Sequence, residues 1–271
     1  MSQFISKWLV GDSQTLILPL IESGTYDFYV DWGDDTRDYI TVYNKALHAY
    51  ANPGEYSVKI TGTIKGWRAK DTSDCQLLDI CQWGCLKLGN EGAYFEGCKK
   101  LQISATDAPD LSETTNLEYM FCLCNEFNSP IGHWDVSHVT KMSWMFNGAE
   151  SFNQPLDKWD VSKVTDMEFI FCGASSFNQP IGSWNVSSVT DMGFMFKEAS
   201  SFNQDISSWD VSKVKDMGYM LAEMTAFDDY YWDRIGFNWK FQSPRLLTDI
   251  AGAGGDAPSW WYYKHNKSHK V

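Results

Sequence analysis

Positive charge, histidine and long apolar runs are all scarce in this chain, and each shortage removes a class of function. Twenty-two lysines and arginines stand against 35 aspartates and glutamates, for a formal net charge of −13. A nucleic-acid duplex or an anionic membrane surface would meet repulsion unless a local basic patch offset it. The nearest thing to such a patch, Lys264, His265, Lys267, His269 and Lys270, reads as a solvated terminus, so no nucleic-acid partner is expected. The opening residues MSQFISKWLVGDSQTLILPLIESG hold one lysine, and their apolar stretch is broken at Gly11, Asp12, Ser13 and Gln14. Neither a signal peptide nor a membrane span is expected there. A chain acting outside a cell would then leave by another route, travel in a particle, or lose its leader beforehand.

The five histidines are His48, His133, His138, His265 and His269. No nucleophile elbow, H-E-x-x-H pair, phosphate-binding glycine loop or dinucleotide fingerprint accompanies them, so the expectation is that the chain is not an enzyme. Seven cysteines, at 75, 81, 85, 98, 122, 124 and 172, leave at least one thiol unpaired in a monomer, unlike a scaffold that depends on its disulfides. Cys81, Cys85 and Cys98 admit a zinc reading, but they lack paired close spacings, and buried small hydrophobes or a local disulfide are the plainer alternatives.

Apolar and aromatic residues are plentiful, at 44% and 15% of the chain, enough to fold around one large or two modest cores. Much of this content is periodic. Phe127, Phe152, Phe177, Phe202 and Phe227 recur every 25 residues, as do Trp134, Trp159, Trp184 and Trp209. Valines follow at 136, 161, 186 and 211 and at 139, 164, 189 and 214. A unit this short cannot bury a two-sided apolar set alone, but identical units laid side by side bury each other's, which predicts a solenoid. Within a unit, Val139, Met142, Met145 and Phe146 are spaced as one face of a short helix, with Ser137 placed to cap it. The half around Phe152, Leu156, Trp159 and Val161 reads as an extended segment with turns, since Pro155 and Pro180 exclude a helix interior. The asparagine column Asn128, Asn153, Asn178 and Asn203 reads as a ladder satisfying backbone groups at a turn. Degraded units extend upstream through Thr115–Phe127 and Ala93–Ile103, which brings Cys98 and Cys124 into corresponding places and raises a bridge between them.

Before the array, residues from about 4 to 62 alternate as strands at Tyr26, Phe28 and Val30 and at Tyr56, Val58 and Ile60. Turns at Gly33-Asp34-Asp35 and Asn52-Pro53-Gly54 complete the pattern of a small β-sandwich module of about four to six strands. Asp31, Asp34 and Asp35 share one tight loop; a solvated turn is the plain reading, and a calcium ion held by hard oxygens is the alternative. No other cofactor is expected. After the array, Trp232, Ile235, Phe237, Trp239 and Phe241 suit a cap on the last apolar face. Trp260, Trp261, Tyr262 and Tyr263 form an aromatic arm, to dock on the chain itself or on a neighbour in an assembly. The expected organisation is 1–66 β module, 67–228 array, and 229–271 cap and tail.

The repeat resembles the bacterial surface protein repeat of BspA-like leucine-rich-repeat proteins and mycoplasma lipoproteins. It does so through Phe152, Asn153, Gln154, Pro155, Leu156, Trp159, Asp160, Val161, Ser162, Val164, Thr165, Met167, Ile170 and Phe171 and their equivalents. The front segment is similar, more distantly, to a PKD-like sandwich through VDWGDDT and HAYANPGEYSVKITG. The resemblance implies an α/β solenoid of 25-residue leucine-rich-repeat-like coils behind a small N-terminal β-sandwich module. It also implies a non-catalytic surface or structural protein on an extracellular surface or virion, including a virion or tail component, that makes protein contacts. The alternatives are an adhesion module for a host protein or glycan, and an intracellular protein-binding scaffold. Specificity would be written where the units vary, and the column Trp144, Phe169, Phe194 and Tyr219 reads as internal packing or, where it is exposed, as the contact stripe. Asn185-Val-Ser187 and Asn266-Lys-Ser268 match the glycan-acceptor pattern.

Overall fold

The computed structural model describes residues 2–69, 75–240 and 250. Period-two burial makes the strands of the first part. β1 (Phe4–Val10) buries Phe4, Ser6, Trp8 and Val10, and β3 (Leu20–Asp31) buries Tyr26, Phe28 and Val30, so one face of each turns inward. β2 (Thr15–Ile17) pairs only with β5 (Leu47–Ala49), as a two-stranded antiparallel sheet. β4 (Arg37–Ile40) forms a hairpin with β3, and β3 pairs antiparallel with β6 (Gly54–Trp67). At Gly62 the backbone φ is +132°, and a Cβ there would run into the Asp27 carbonyl, so glycine lets the two long strands pass closely.

β1 pairs antiparallel with β6 on one side and with β7 (Leu77–Gln82) on the other. β8 (Leu86–Lys87) joins β6, and β9 (Gln102–Ile103) joins β7, both in parallel. The result is a seven-stranded mixed sheet of order β4-β3-β6-β1-β7-β9 with β8 beside β6. This corrects the expected small N-terminal β-sandwich module. The sheet draws strands from beyond residue 66 because β1 leaves both its edges open, and β7 completes the second one.

The expected α/β solenoid of leucine-rich-repeat-like coils is also corrected. Regular structure among the described residues is the mixed sheet, the β2–β5 pair, a single turn of 3-10 helix at Tyr43–Lys45 and one α-helix, α1 (Asp229–Asn238). Between β9 and α1 there is neither helix nor strand, only turns and the isolated parallel bridges Asn116↔Lys141, Lys141↔Asp166, Asp166↔Asp191 and Asp191↔Asp216. The helix fails for a local reason. Trp144 has φ +61° and Gly148 φ +66°, with the same left-handed pair at Tyr119 and Leu123, Phe169 and Gly173, Phe194 and Glu198, and Tyr219 and Glu223. Two left-handed residues four positions apart break an α-helix in each unit.

The hydrogen bonds show what replaces it. Met142, Trp144, Phe146 and Gly148 donate their N–H groups to the carbonyls of Asp166, Glu168, Ile170 and Cys172 in the next unit, at 2.8–3.0 Å. Met145, Asn147 and Ala149 donate back three residues, to Met142, Trp144 and Phe146. Seven of the eight backbone donors from Met142 to Ala149 are thereby used without a regular element, as burial demands. Behind these turns Phe121, Phe146, Phe171 and Phe196 stack at 5.5–5.7 Å, beside the column Phe127, Phe152, Phe177, Phe202 and Phe227 at 5.8–6.3 Å. Trp159, Trp184 and Trp209 donate their indole N–H to the carbonyls of Ile131, Leu156 and Ile181. The asparagine ladder runs outside: Asn153, Asn178 and Asn203 donate their backbone N–H to the side-chain oxygens of Asn128, Asn153 and Asn178. Ser137, placed in sequence as a helix cap, instead closes a two-residue turn by donating its N–H to Asp135 (3.0 Å), and Asp160, Asn185 and Asp210 repeat it.

One continuous apolar core joins the sheet to the repeats, from Phe4 to Ile250. The last unit is covered by α1, whose N-cap Asp228 accepts the N–H of Tyr230. Trp232 and Ile235 are buried, and Trp239 stacks parallel to Trp209 and donates to the Ile206 carbonyl. At the junction with the sheet Cys75 is bonded to Cys98. That overturns the bridge weighed between Cys98 and Cys124, and removes Cys98 from any zinc set; the Cys124 thiol is buried and donates to the Phe95 carbonyl (3.0 Å).

Candidate functional site

The left-handed turns fix the arrangement most suited to binding. The 25-residue register places one left-handed residue of each unit above the next. Trp144, Phe169, Phe194 and Tyr219 therefore form a stacked column, with ring centroids 3.9, 4.4 and 5.1 Å apart and planes within 16° of parallel. Tyr119 extends it by a fifth ring, 5.6 Å from Trp144. The first four rings of the five are half-buried, and Tyr219 is 40% exposed. The sequence stripe omitted Tyr119, although its 25-residue spacing from Trp144 was available as a signal. Because the faces are taken up by neighbouring rings, the column presents ring edges to solvent: it is a ridge.

One flank of the ridge is acidic. Asn116, Asp166, Asp191 and Asp216 each accept the N–H two residues on, that of Glu118, Glu168, Gly193 and Gly218, at 2.8–3.1 Å. These carboxylates lie close together. Burial, then repulsion from Asp191 and Asp166, raises Glu168 above its ordinary pKa, against a partial counter-effect of the Trp144 indole beside it. Asp191 is raised by burial and by Asp216 and Asp166, with the Gly193 N–H opposing. Burial and then Glu118 push up the Tyr119 hydroxyl. On the other flank stand Leu123, 49% exposed, and the buried thiols Cys122 and Cys172, which burial pushes up to about 12 and about 11. Thiols held protonated in this way are poor nucleophiles.

The acidic loop of the sheet has its own partners. Asp31 pairs with Arg37 at 3.0 Å and accepts the Gly33 N–H. Asp34 contacts His48 at 2.8 Å and accepts from Thr36; burial works against its charge, but these hydrogen bonds hold it below the usual carboxylate range. Asp35 sits at φ +66°, exposed. Among the described residues no group of three histidine, cysteine, aspartate or glutamate side chains stands ready to hold a metal ion. Trp260, Trp261, Tyr262 and Tyr263 lie outside the described residues. Among the described residues no helix is long and apolar enough to cross a membrane.

Fold and site together define a protein of tandem turn-built units stacked against a mixed β-sheet, with an acid-flanked aromatic ridge along the units. The chain belongs to the family described as Mycoplasma protein of unknown function, DUF285, which matches residues 90–185 and again 154–245, together more than half of its length. No curated protein and no solved structure matches it. The family match and the single mixed sheet correct the likeness to leucine-rich-repeat proteins with a PKD-like module. The reading as a surface, virion, adhesion or scaffold protein acting through a repeat solenoid rested on that likeness, and it is set aside with it.

Proposed function

We propose that the chain is a non-catalytic recognition protein that engages a partner polypeptide along the ridge from Tyr119 to Tyr219. The observation that carries this is the column itself: an aromatic residue holds a left-handed backbone in all five units. Each such residue costs about 1 kcal/mol, and glycine, the residue that relieves it, stands four positions later at Gly148 and Gly173 instead. Stacking between rings, about 0.5–1.5 kcal/mol per pair, offsets that cost and leaves a row of apolar edges half open to solvent. Aromatic side chains of this kind are the usual anchors of protein interfaces. A sugar would need a free ring face, and in this column the faces of the inner rings are taken, which favours a polypeptide over a glycan. The Cys75–Cys98 disulfide supports an oxidising, extracellular setting.

The test uses peptides selected from a random library on the full chain, measured against wild type and Phe169→Gly. Glycine accepts the left-handed backbone, so this variant removes a ring from the middle of the ridge and keeps the turn. Selected peptides are expected to bind the variant at least about tenfold more weakly; equal affinity for both proteins would overturn the reading.

A further inference from the structure

We propose that the segment the ridge takes is basic, with lysine or arginine side chains alternating with the apolar ones that meet the ring edges; this rests on the ridge reading above. Glu118 flanks the ridge in the first of its units and Asp166, Glu168, Asp191 and Asp216 in the last three, while the unit of Trp144 carries Lys141 and Ser143 in the same places. Lys141 reaches Glu118 at 3.9 Å, but among the described residues no lysine or arginine stands within ion-pair distance of the other four. Glu168 and Asp191 are partly desolvated with hydrogen-bond donors but no cation beside them, and a partner cation relieves the cost of their burial on binding.

Space for the cation is built into the units. Where the first repeats carry Glu118, Ser143 and Glu168, the later ones carry Gly193 and Gly218. A Cβ at Gly193 would lie 3.4 Å from an Asp191 oxygen, 3.5 Å from an Asp216 oxygen and 3.7 Å from Cγ of Glu168. The absence of a side chain at Gly193 therefore leaves three acidic side chains uncovered around its Cα, one residue before Phe194. An incoming lysine or arginine can set its charge against them while the next residue of its chain covers the ring edges. Alternation is the natural fit, because an extended segment sends successive side chains to opposite sides. A second copy of this chain would bring its own acidic flank and be repelled.

Three synthetic peptides of equal length test this on the full chain: leucine alternating with lysine, leucine with glutamate, and serine with lysine. The leucine–lysine peptide is expected to bind at least about tenfold more tightly than either of the others, and to lose at least about tenfold in affinity on Phe169→Gly and on Glu168→Gln/Asp191→Asn. Neutralising those two acids relieves a burial cost, so the double variant keeps its fold. Binding that falls with Phe169→Gly but ignores the double variant, or that is as tight for leucine–glutamate, overturns the basic-partner inference and leaves the ridge reading standing. Binding indifferent to Phe169→Gly overturns both. No binding, or binding seen only when the chain is shortened before Ser259, overturns the inference, in the second case in favour of the chain's own arm.

Discussion

The sheet and the repeats contribute to one apolar core by different backbone means, and the sheet leaves more large apolar residues exposed, Leu9, Ile17, Tyr29, Tyr39, Val42 and Leu47 against Leu123 and Tyr219. β1 and β6 pair through seven successive residues, Phe4↔Ile60 to Val10↔Gly54, and alternate side chains enter the core. In the repeats each unit contributes one bridging residue, and its other bonded donors divide among turns of three residues, carbonyls of the next and the preceding unit, and side-chain oxygens. A chain can thus be dehydrated without extended strands, provided that an identical neighbour presents a carbonyl wherever a turn leaves a donor. The repeats gain from this something the sheet lacks: every outward position is copied at short spacing, so one aromatic residue per unit becomes a ridge.

The comparison breaks most visibly in the packed rings. Phe171 lies between Phe146 and Phe196 and 4.0 Å from Phe177, fully buried. Phe171→Ala should cost about 3–5 kcal/mol in urea unfolding, as should Phe28→Ala in the sheet. Both should lower the midpoint of one shared transition, since a single core spans the two regions; separate transitions would show that the regions fold apart. Next comes the junction. Cys75→Ser frees a loop of 23 residues and should cost about 3 kcal/mol, with wild type under reducing agent showing the same loss.

Smaller effects sharpen the contrast. Phe169→Gly should change stability by no more than about 1 kcal/mol, because relief of the left-handed backbone offsets lost stacking, whereas a buried strand ring such as Phe28 has no such compensation. The smallest effect is electrostatic. Asp191, raised by burial, binds more protons folded than unfolded, so its charge opposes folding at neutral pH, and the opposition fades as pH falls through its folded value. Asp110, held at about 2 by Ser112 and Lys87, and Asp135, Asp160 and Asp210, lowered by Ser137, Ser162 and Ser212, do the reverse: their stabilisation is lost as pH falls through their folded values. Asp191→Asn should therefore raise the urea midpoint at about pH 7, with the gain shrinking towards about pH 4.

The register of the repeats was readable in the residues. Phe127, Trp134 and Val139 recur without a slip, and Trp144, Phe169, Phe194 and Tyr219 share one place in the unit. The helix was misread because Met142 and Met145 are three apart, a spacing produced equally by a helix and by a turn in which Met145 donates to Met142. Only the bond from Trp144 to Glu168, 24 residues away, decides between them. The sheet was misjudged for a similar reason. Leu77–Gln82 carries little alternation, and its strand exists because β1 offers it an edge. The acidic flank was hidden because its members sit at two different places in the unit, Asp166, Asp191 and Asp216 at one and Glu118 and Glu168 at the other.

Residue-resolved amide hydrogen exchange at Trp144, Phe169 and Phe194 tests the central claim most directly. Each is half exposed as a side chain, yet its N–H is bonded to Glu168, Gly193 or Gly218 of the following unit at 2.8–2.9 Å. Protection at these three amides as strong as that of β1 and β6 is the predicted result. Exchange at the rate of exposed turns would contradict the stacking of the units and, with it, the ridge.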